Sequence, residues 1–263
     1  MPEESKRTDA IKSVGFFMHI AKTAGSYMNN VFGQSLGQGF VEHCEAGGRL
    51  DTDEDIVLWS GHIYLERWRE IEAQRGWTTK RFTLLREPVS QLASHILWLD
   101  HYAAPAFLGE YKALDANTRQ VVDEVAATDL SDAGAIDSLV VNLADRGVMY
   151  FDNCQSRYFI AGSSEISRTE PLHLGMRSTL DKALNEFSVV GTGDNIEGFI
   201  RRVSDELSID LKYSEKRINE AKSTRSIDLS DPDVRAVLSK LTMLDNWLYK
   251  RVQSINLEYA SRP

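Results

Sequence analysis

Three short segments hold the residues best suited to chemistry on a phosphorylated ligand. The first is His19-Ile20-Ala21-Lys22-Thr23-Ala24-Gly25-Ser26-Tyr27. A glycine among small residues lets backbone N–H groups curl around an anion, a following helix N-terminus adds partial positive charge, and Lys22 adds a full one. This is the outline of a phosphate cradle. It is not a Walker A loop, because Lys22 precedes Gly25 and no Gly-Lys-Ser/Thr ending follows. The competing reading is an ordinary strand-to-helix turn with an exposed lysine.

The second segment ends in Arg86, with Ser94 two helical turns further on. An arginine at a strand's carboxyl end is placed for bidentate contact with phosphate or carboxylate, and a serine hydroxyl supplies another donor. Against that stands a surface ion pair between Arg86 and Glu87. The third segment is Ser60-Gly61-His62-Ile63-Tyr64. Histidine, with an ordinary pKa of about 6.5, suits general-base work, and Gly61 permits close approach of a substrate; the alternative is a capping or core histidine. Glu66 offers a second base unless it is a solvated helix-face carboxylate, and His19 reads as ordering the first loop from beneath or touching a ligand. His43, His95, His101 and His173 have no supporting context and read as structural or surface residues. Trp59, Trp68, Trp77 and Trp98 read as core.

The elements that must position these residues alternate between strand and helix. Val14–Ile20, Ile56–Trp59, Lys80–Leu85 and Phe187–Gly191 are short apolar runs of the kind buried on both faces of a parallel sheet, and a fifth short strand is placed near Phe40–His43. Helical spacing follows from Tyr27, from Tyr64 to Gln74, and from Pro88 to Tyr102, where proline stands at a first-turn position that needs no N–H. Leu143–Ala161 reads as one helix, Ile196–Leu207 as another, and two more close the chain over Asp231–Leu241 and Asp245–Ile255. The expected fold is α/β: a P-loop-like, mainly parallel central sheet flanked by helices, with an acidic helical insertion over about 100–145. Residues 1–12 read as a flexible tail and 13–263 as a single domain. In such sheets ligands gather at the strands' carboxyl ends, where all three segments fall.

Taken together, the segments resemble a known family. His19–Ser26 is similar to the "His-Ile-Pro-Lys-Thr-Gly-Gly-Thr" signature of carbohydrate sulfotransferases, and Leu84-Leu85-Arg86-Glu87-Pro88-Val89 with Ser94 resembles their "Leu-Leu-Arg-Asp-Pro-Val" segment. The likeness is nearest to the heparan-sulfate 2-O/6-O branch and its bacterial relatives. It extends to Asn153-Cys154-Gln155-Ser156-Arg157-Tyr158, which looks like that branch's "Asn-x-Gln-Thr-Arg-Tyr", and to Val189-Val190-Gly191 with Glu197-Gly198-Phe199. Ala21 replaces the usual proline and Ala24 the first glycine, departures that bear on the loop's stiffness.

The resemblance implies an enzyme that moves a sulfuryl group from 3′-phosphoadenylyl sulfate (PAPS) to an acceptor hydroxyl by in-line displacement, releasing adenosine 3′,5′-bisphosphate and requiring no metal. It implies that Lys22 neutralises the leaving oxygen and that Thr23, Ala24, Gly25, Ser26 and Tyr27 hold the 5′-phosphate. Arg86 and Ser94 would bind the 3′-phosphate and His62 would take the acceptor proton, while Lys216, Arg217 and Arg225 would close over the nucleotide. Two other readings stand beside it. A P-loop-like kinase or hydrolase lacks its Gly-Lys-Ser/Thr ending and a Walker B carboxylate here; a non-catalytic nucleotide-binding protein would need Lys22 and Arg86 but no base.

Composition bounds the partners. The 263 residues carry 30 Lys+Arg and 39 Asp+Glu, a formal net charge of −9, which disfavours broad binding to nucleic acid or anionic membrane. Two cysteines, Cys44 and Cys154, are too few for a disulfide framework. With no signal-like or membrane-length apolar run, the expectation is a soluble cytoplasmic protein with reduced thiols. Basic residues exceed acidic ones over 62–86 and 212–225, whereas acid concentrates in 42–55 and 100–145. An acidic segment lining the acceptor cleft would repel a polyanion, so the expected acceptor is a carbohydrate or small molecule that is not a strong polyanion.

Overall fold

The computed structural model describes residues 13–46, 50, 55–212 and 225–260. Its centre is a five-stranded, wholly parallel sheet: β1 (Ser13–Met18), β2 (Phe40–Val41), β3 (Leu58–Gly61), β4 (Thr78–Leu85) and β5 (Val189–Thr192), in the order β2-β3-β1-β4-β5. The expected α/β architecture is thus present, with strand ends within a few residues of those the apolar runs predict.

Side-chain alternation along the strands builds two cores. Phe16, Met18, Trp59 and Leu85 point to one face, where α2 (Leu65–Arg75), α7 (Cys154–Ile160), α8 (Arg177–Leu184) and α11 (Met243–Ala260) cover them. Their neighbours Phe17, Leu58 and Leu84 point to the other, under α1 (Gly25–Leu36) and α9 (Ile196–Leu207). Phe16 stacks on Trp68 with ring centroids 3.7 Å apart, and Trp59 and Trp68 are both fully buried. The tryptophans nearest the proposed chemistry therefore belong to the core, as their spacing suggested.

A third apolar cluster stands beside the sheet. α3 (Pro88–His101) supplies Leu92, Ile96 and Leu99 to it, and α5 (Ala116–Ala127), α6 (Ala133–Asp145) and α10 (Pro232–Leu241) pack on that side. Together with α4 (Leu108–Ala113), α5 and α6 make the acidic stretch wholly helical in character.

One expected element is divided. The run read as a single helix over Leu143–Ala161 breaks after α6, at Gly147 (φ 74°), and resumes only after Asn153 (φ 45°). Both residues adopt the left-handed conformation that a continuing helix excludes. Asn153 is held there because its N–H donates to the Leu241 carbonyl (2.7 Å) and its Oδ1 accepts from the Leu244 N–H (2.7 Å). Among the described residues no helix is long and apolar enough to cross a membrane.

Candidate functional site

β1 lies between β3 and β4, so the chain leaves it first towards the β2 side and later recrosses to reach β4. That reversal opens a crevice at the carboxyl ends of β1, β3 and β4. His19–Ala24, His62 and Arg86 all emerge there.

The β1–α1 loop is tightly specified. Lys22 (φ 65°) and Ala24 (φ 72°) are both left-handed, and Thr23 Oγ1 donates to the Ile20 carbonyl at 2.9 Å. Strain at two non-glycine residues in three positions is the sort of conformation that only surrounding structure can hold. Gln91 of α3 supplies part of that structure, donating through Nε2 to the Ala21 carbonyl at 2.8 Å, and Tyr158 bonds the backbone of the same residue. Gly25 is required for a different reason: a Cβ there would lie 1.8 Å from the His19 ring. The first turn of α1 carries no acidic residue and, among the described residues, no side chain caps it, so its first N–H groups present partial positive charge to the crevice.

Lys22 and Arg86 meet across this loop. Arg86 Nη1 donates to the Lys22 carbonyl at 3.3 Å. Burial, and then the neighbouring guanidinium, push the Lys22 ammonium below its ordinary pKa; burial does the same to Arg86, with Glu87 partly opposing it. Among the described residues neither cation is paired with a carboxylate. Glu87 does not form the surface ion pair with Arg86, because its carboxylate accepts from the Val89 and Ser90 N–H groups and the Ser90 hydroxyl, capping α3. Two half-buried, mutually repelling cations beside an uncapped helix N-terminus form a site that an anion would complete.

Arg86 is held by its backbone. Gln155 accepts from the Arg86 N–H (3.0 Å) and donates to the Arg86 carbonyl (2.9 Å), and the Asp245 carboxylate in turn accepts from the Gln155 and Ser156 N–H groups. The Asn153–Tyr158 segment is thus a buttress. Its Arg157 is buried against Asp152 and the carbonyls of Arg168 and Glu170.

His62 stands opposite the loop. Its Nδ1 lies 2.6 Å from the His19 carbonyl; a carbonyl only accepts, so Nδ1 carries the proton and Nε2 the free lone pair. The His19 and His62 rings lie 4.1 Å apart. Burial first, then the neighbouring His62, His43 and Lys22, hold His19 far below its ordinary pKa, so it is neutral. Burial also lowers His62, opposed by Glu45 and by the bond to His19. A neutral imidazole with its basic nitrogen defined is what a general base requires. Glu66, the alternative base, bonds Arg69 within a surface ion network that includes Glu186, Arg81 and Glu72.

Of the other expected residues, Ser26 is exposed at the first turn of α1 and Tyr27 half-buried beside it, while Ser94 is half-buried one turn beyond Ser90 on α3. Arg225 pairs with Asp100 at 2.8 Å and donates to the carbonyls of Val125, Ala126 and Thr128, so its guanidinium is engaged with the helical cluster. Lys216 and Arg217 lie outside the described residues.

Glu45 is not singled out by the sequence, and His43 and His95, which read there as structural or surface residues, are respectively exposed beside His62 and buried. Glu45 Oε2 accepts the His62 N–H (3.1 Å), Oε1 pairs with His43 Nδ1 (3.2 Å), and the His43 and His62 rings are 5.7 Å apart. His95, 9% exposed, has both ring nitrogens without a hydrogen-bond partner among the described residues. The one signal was Gly61, where a Cβ would strike Glu45 Oε2 at 2.5 Å. No protein-family model matches this chain, and no curated protein is similar to it.

Proposed function

We propose that this protein is a PAPS-dependent sulfotransferase. The observation that supports the reading best is the pair of cations, Lys22 and Arg86, left without carboxylate partners among the described residues beside the uncapped N-terminus of α1, with Nε2 of His62 facing away from the His19 carbonyl that holds Nδ1. A donor with phosphates at two positions satisfies both cations. The orphaned Gln91 Oε1 and His95 ring nitrogens also mark α3 as a wall with unused polar capacity.

PAPS, when bound, supplies an activated sulfuryl group whose transfer needs little from the protein beyond alignment and charge stabilisation. Lys22 places positive charge where the leaving phosphate oxygen develops its own. The backbone of Thr23, Ala24, Gly25 and Tyr27, with Ser26, surrounds the 5′-phosphate, and Arg86 with Ser94 holds the 3′-phosphate. His62 Nε2 takes the acceptor proton while Nδ1 stays on the His19 carbonyl, which keeps the ring oriented throughout.

Glu45, hydrogen-bonded to the His62 backbone, brings negative charge to the acceptor side. A neutral or cationic acceptor, carbohydrate or small metabolite, therefore fits better than a strong polyanion. A cytoplasmic location accords with two free, buried thiols whose pKa values burial raises, Cys44 to about 12.

The test is to incubate the protein with PAPS and an extract of its own cells and to search by mass for a metabolite that gains one sulfate. Such a product, absent with Lys22→Ala, is the expected result. Turnover of ATP with magnesium, and none of PAPS, would instead favour a nucleotide kinase or hydrolase.

A further inference from the structure

His43, Glu45 and His62 form a cluster that a general base does not need. One ring nitrogen of each histidine and one carboxylate oxygen of Glu45 lie within 4.8 Å of one another, on a surface open to solvent. Two imidazoles and a carboxylate are a ligand set that zinc-class ions take in open sites, where a water fills the fourth position. Ligand bonds of about 2.0–2.1 Å set tetrahedral neighbours roughly 3.4 Å apart, so closing the cluster takes side-chain movements of about an ångström. His43 Nδ1 and Glu45 Oε1 are already 3.2 Å apart.

A second observation points the same way. A metal-bound imidazole characteristically donates its other N–H to a backbone carbonyl or carboxylate, which fixes the tautomer and aims the free nitrogen. His62 makes that bond, Nδ1 to the His19 carbonyl at 2.6 Å. The Glu45 carboxylate is likewise steadied, by the His62 N–H. His43 is held left-handed at φ 50°, a conformation that brings its ring back towards Glu45.

We infer that His43, Glu45 and His62 bind one divalent transition-metal ion of the zinc class, and that the ion, by occupying His62 Nε2, withholds the base and switches transfer off. Binding of the ion stands on the cluster alone; the inhibitory half rests on the proposed sulfotransferase activity. The ion and an acceptor proton compete for the same lone pair, so inhibition is reversed by a chelator.

The experiment uses the full chain, stripped with chelator and titrated with zinc chloride by calorimetry, and with cobalt chloride followed by visible absorption. His43→Asn is the comparison, because asparagine tolerates the left-handed backbone and is a poor ligand; its melting temperature verifies that it folds. Expected are one-to-one binding, a visible cobalt spectrum, and at least a tenfold loss of zinc affinity in His43→Asn. Zinc should inhibit wild-type transfer and leave the basal rate of His43→Asn intact and less sensitive to zinc. No zinc binding at millimolar ion, or equal binding by wild type and His43→Asn, would overturn the site. Site-specific binding with transfer unaffected would overturn the switch. Site-specific binding by a protein that never transfers sulfate would leave the metal site standing and refute the sulfotransferase reading instead.

Discussion

Arg86 reaches from the end of β4 to the Lys22 carbonyl, 3.3 Å away, so the guanidinium braces the backbone of the very residue whose ammonium it repels. The contact joins the β1–α1 loop and the end of β4, the two segments proposed to bind phosphate, into one unit. Arg86→Ala removes a charged donor and the brace together. Nucleotide affinity should fall roughly 10- to 100-fold, the value of hydrogen bonds to a charged group, and Arg86→Lys should recover only part of it because an ammonium cannot form the bidentate contact. Lys22→Ala should spare more binding and cost more turnover, roughly 100- to 1000-fold, as expected for a group that stabilises developing charge. Calorimetry beside steady-state transfer separates the two effects.

His62→Ala should bind adenosine 3′,5′-bisphosphate like wild type and lose transfer by roughly 100- to 10,000-fold, the range for a positioned general base. An active His62→Ala enzyme would remove the base from this account. The binding half also discriminates an enzyme from a binding module, in which His62 would have no role to lose.

Gln155 tests whether Arg86 is positioned through its backbone. Its side-chain amide satisfies both the N–H and the carbonyl of Arg86 in a buried setting. Gln155→Ala orphans both groups, at about 1–3 kcal/mol each before any relaxation. The variant should melt earlier and, at a temperature where it remains folded, bind nucleotide more weakly. Unchanged nucleotide affinity in folded Gln155→Ala would show that Arg86 holds its place without it.

Much of this arrangement was legible in the sequence, and the parts that were not have identifiable causes. Lys22, Arg86 and His62 follow directly upon apolar runs, and a parallel sheet brings strand ends together whatever the intervening lengths. The break between α6 and α7 was invisible because it depends on Asn153 bonding to Leu241 and Leu244, 88 and 91 residues further along the chain. Glu45 escaped notice for the same reason: the residue lies in an irregular, acidic connection and meets His62 only when β2 and β3 pair. The resemblance alone implied that Arg225 covers a nucleotide, and no sequence pattern reveals that a buried carboxylate, Asp100, and three carbonyls at the end of α5 engage it instead.

His95 carries a pH prediction. The unfolded chain protonates this residue near 6.5, whereas burial, with Lys22 and His62 nearby, delays protonation in the folded state until about 4. Between those values the unfolded state binds more protons, so the contribution of His95 is complete above pH 6.5 and is lost as pH falls towards 4, by about 3 kcal/mol. Because neither ring nitrogen has a partner among the described residues, His95→Phe forfeits none of the described hydrogen bonds and keeps the edge-to-face contacts with Trp98 and Phe151. Stability at pH 7.5 should be nearly retained and the acid-side loss reduced, as measured by urea titrations at pH 7.5, 5.5 and 4.5. An identical acid-side loss in both proteins would contradict the assignment.

The Lys22–Arg86 crevice is the proposed seat of a nucleotide with phosphates at its 5′ and 3′ positions. Titrating the protein calorimetrically with adenosine 3′,5′-bisphosphate, beside adenosine 5′-monophosphate as the ligand lacking one phosphate, tests it most directly. Expected are one-to-one binding, at least tenfold weaker for the monophosphate, and at least tenfold weaker for the bisphosphate in Arg86→Ala. No binding at millimolar bisphosphate, or equal affinity for the two nucleotides, would contradict it.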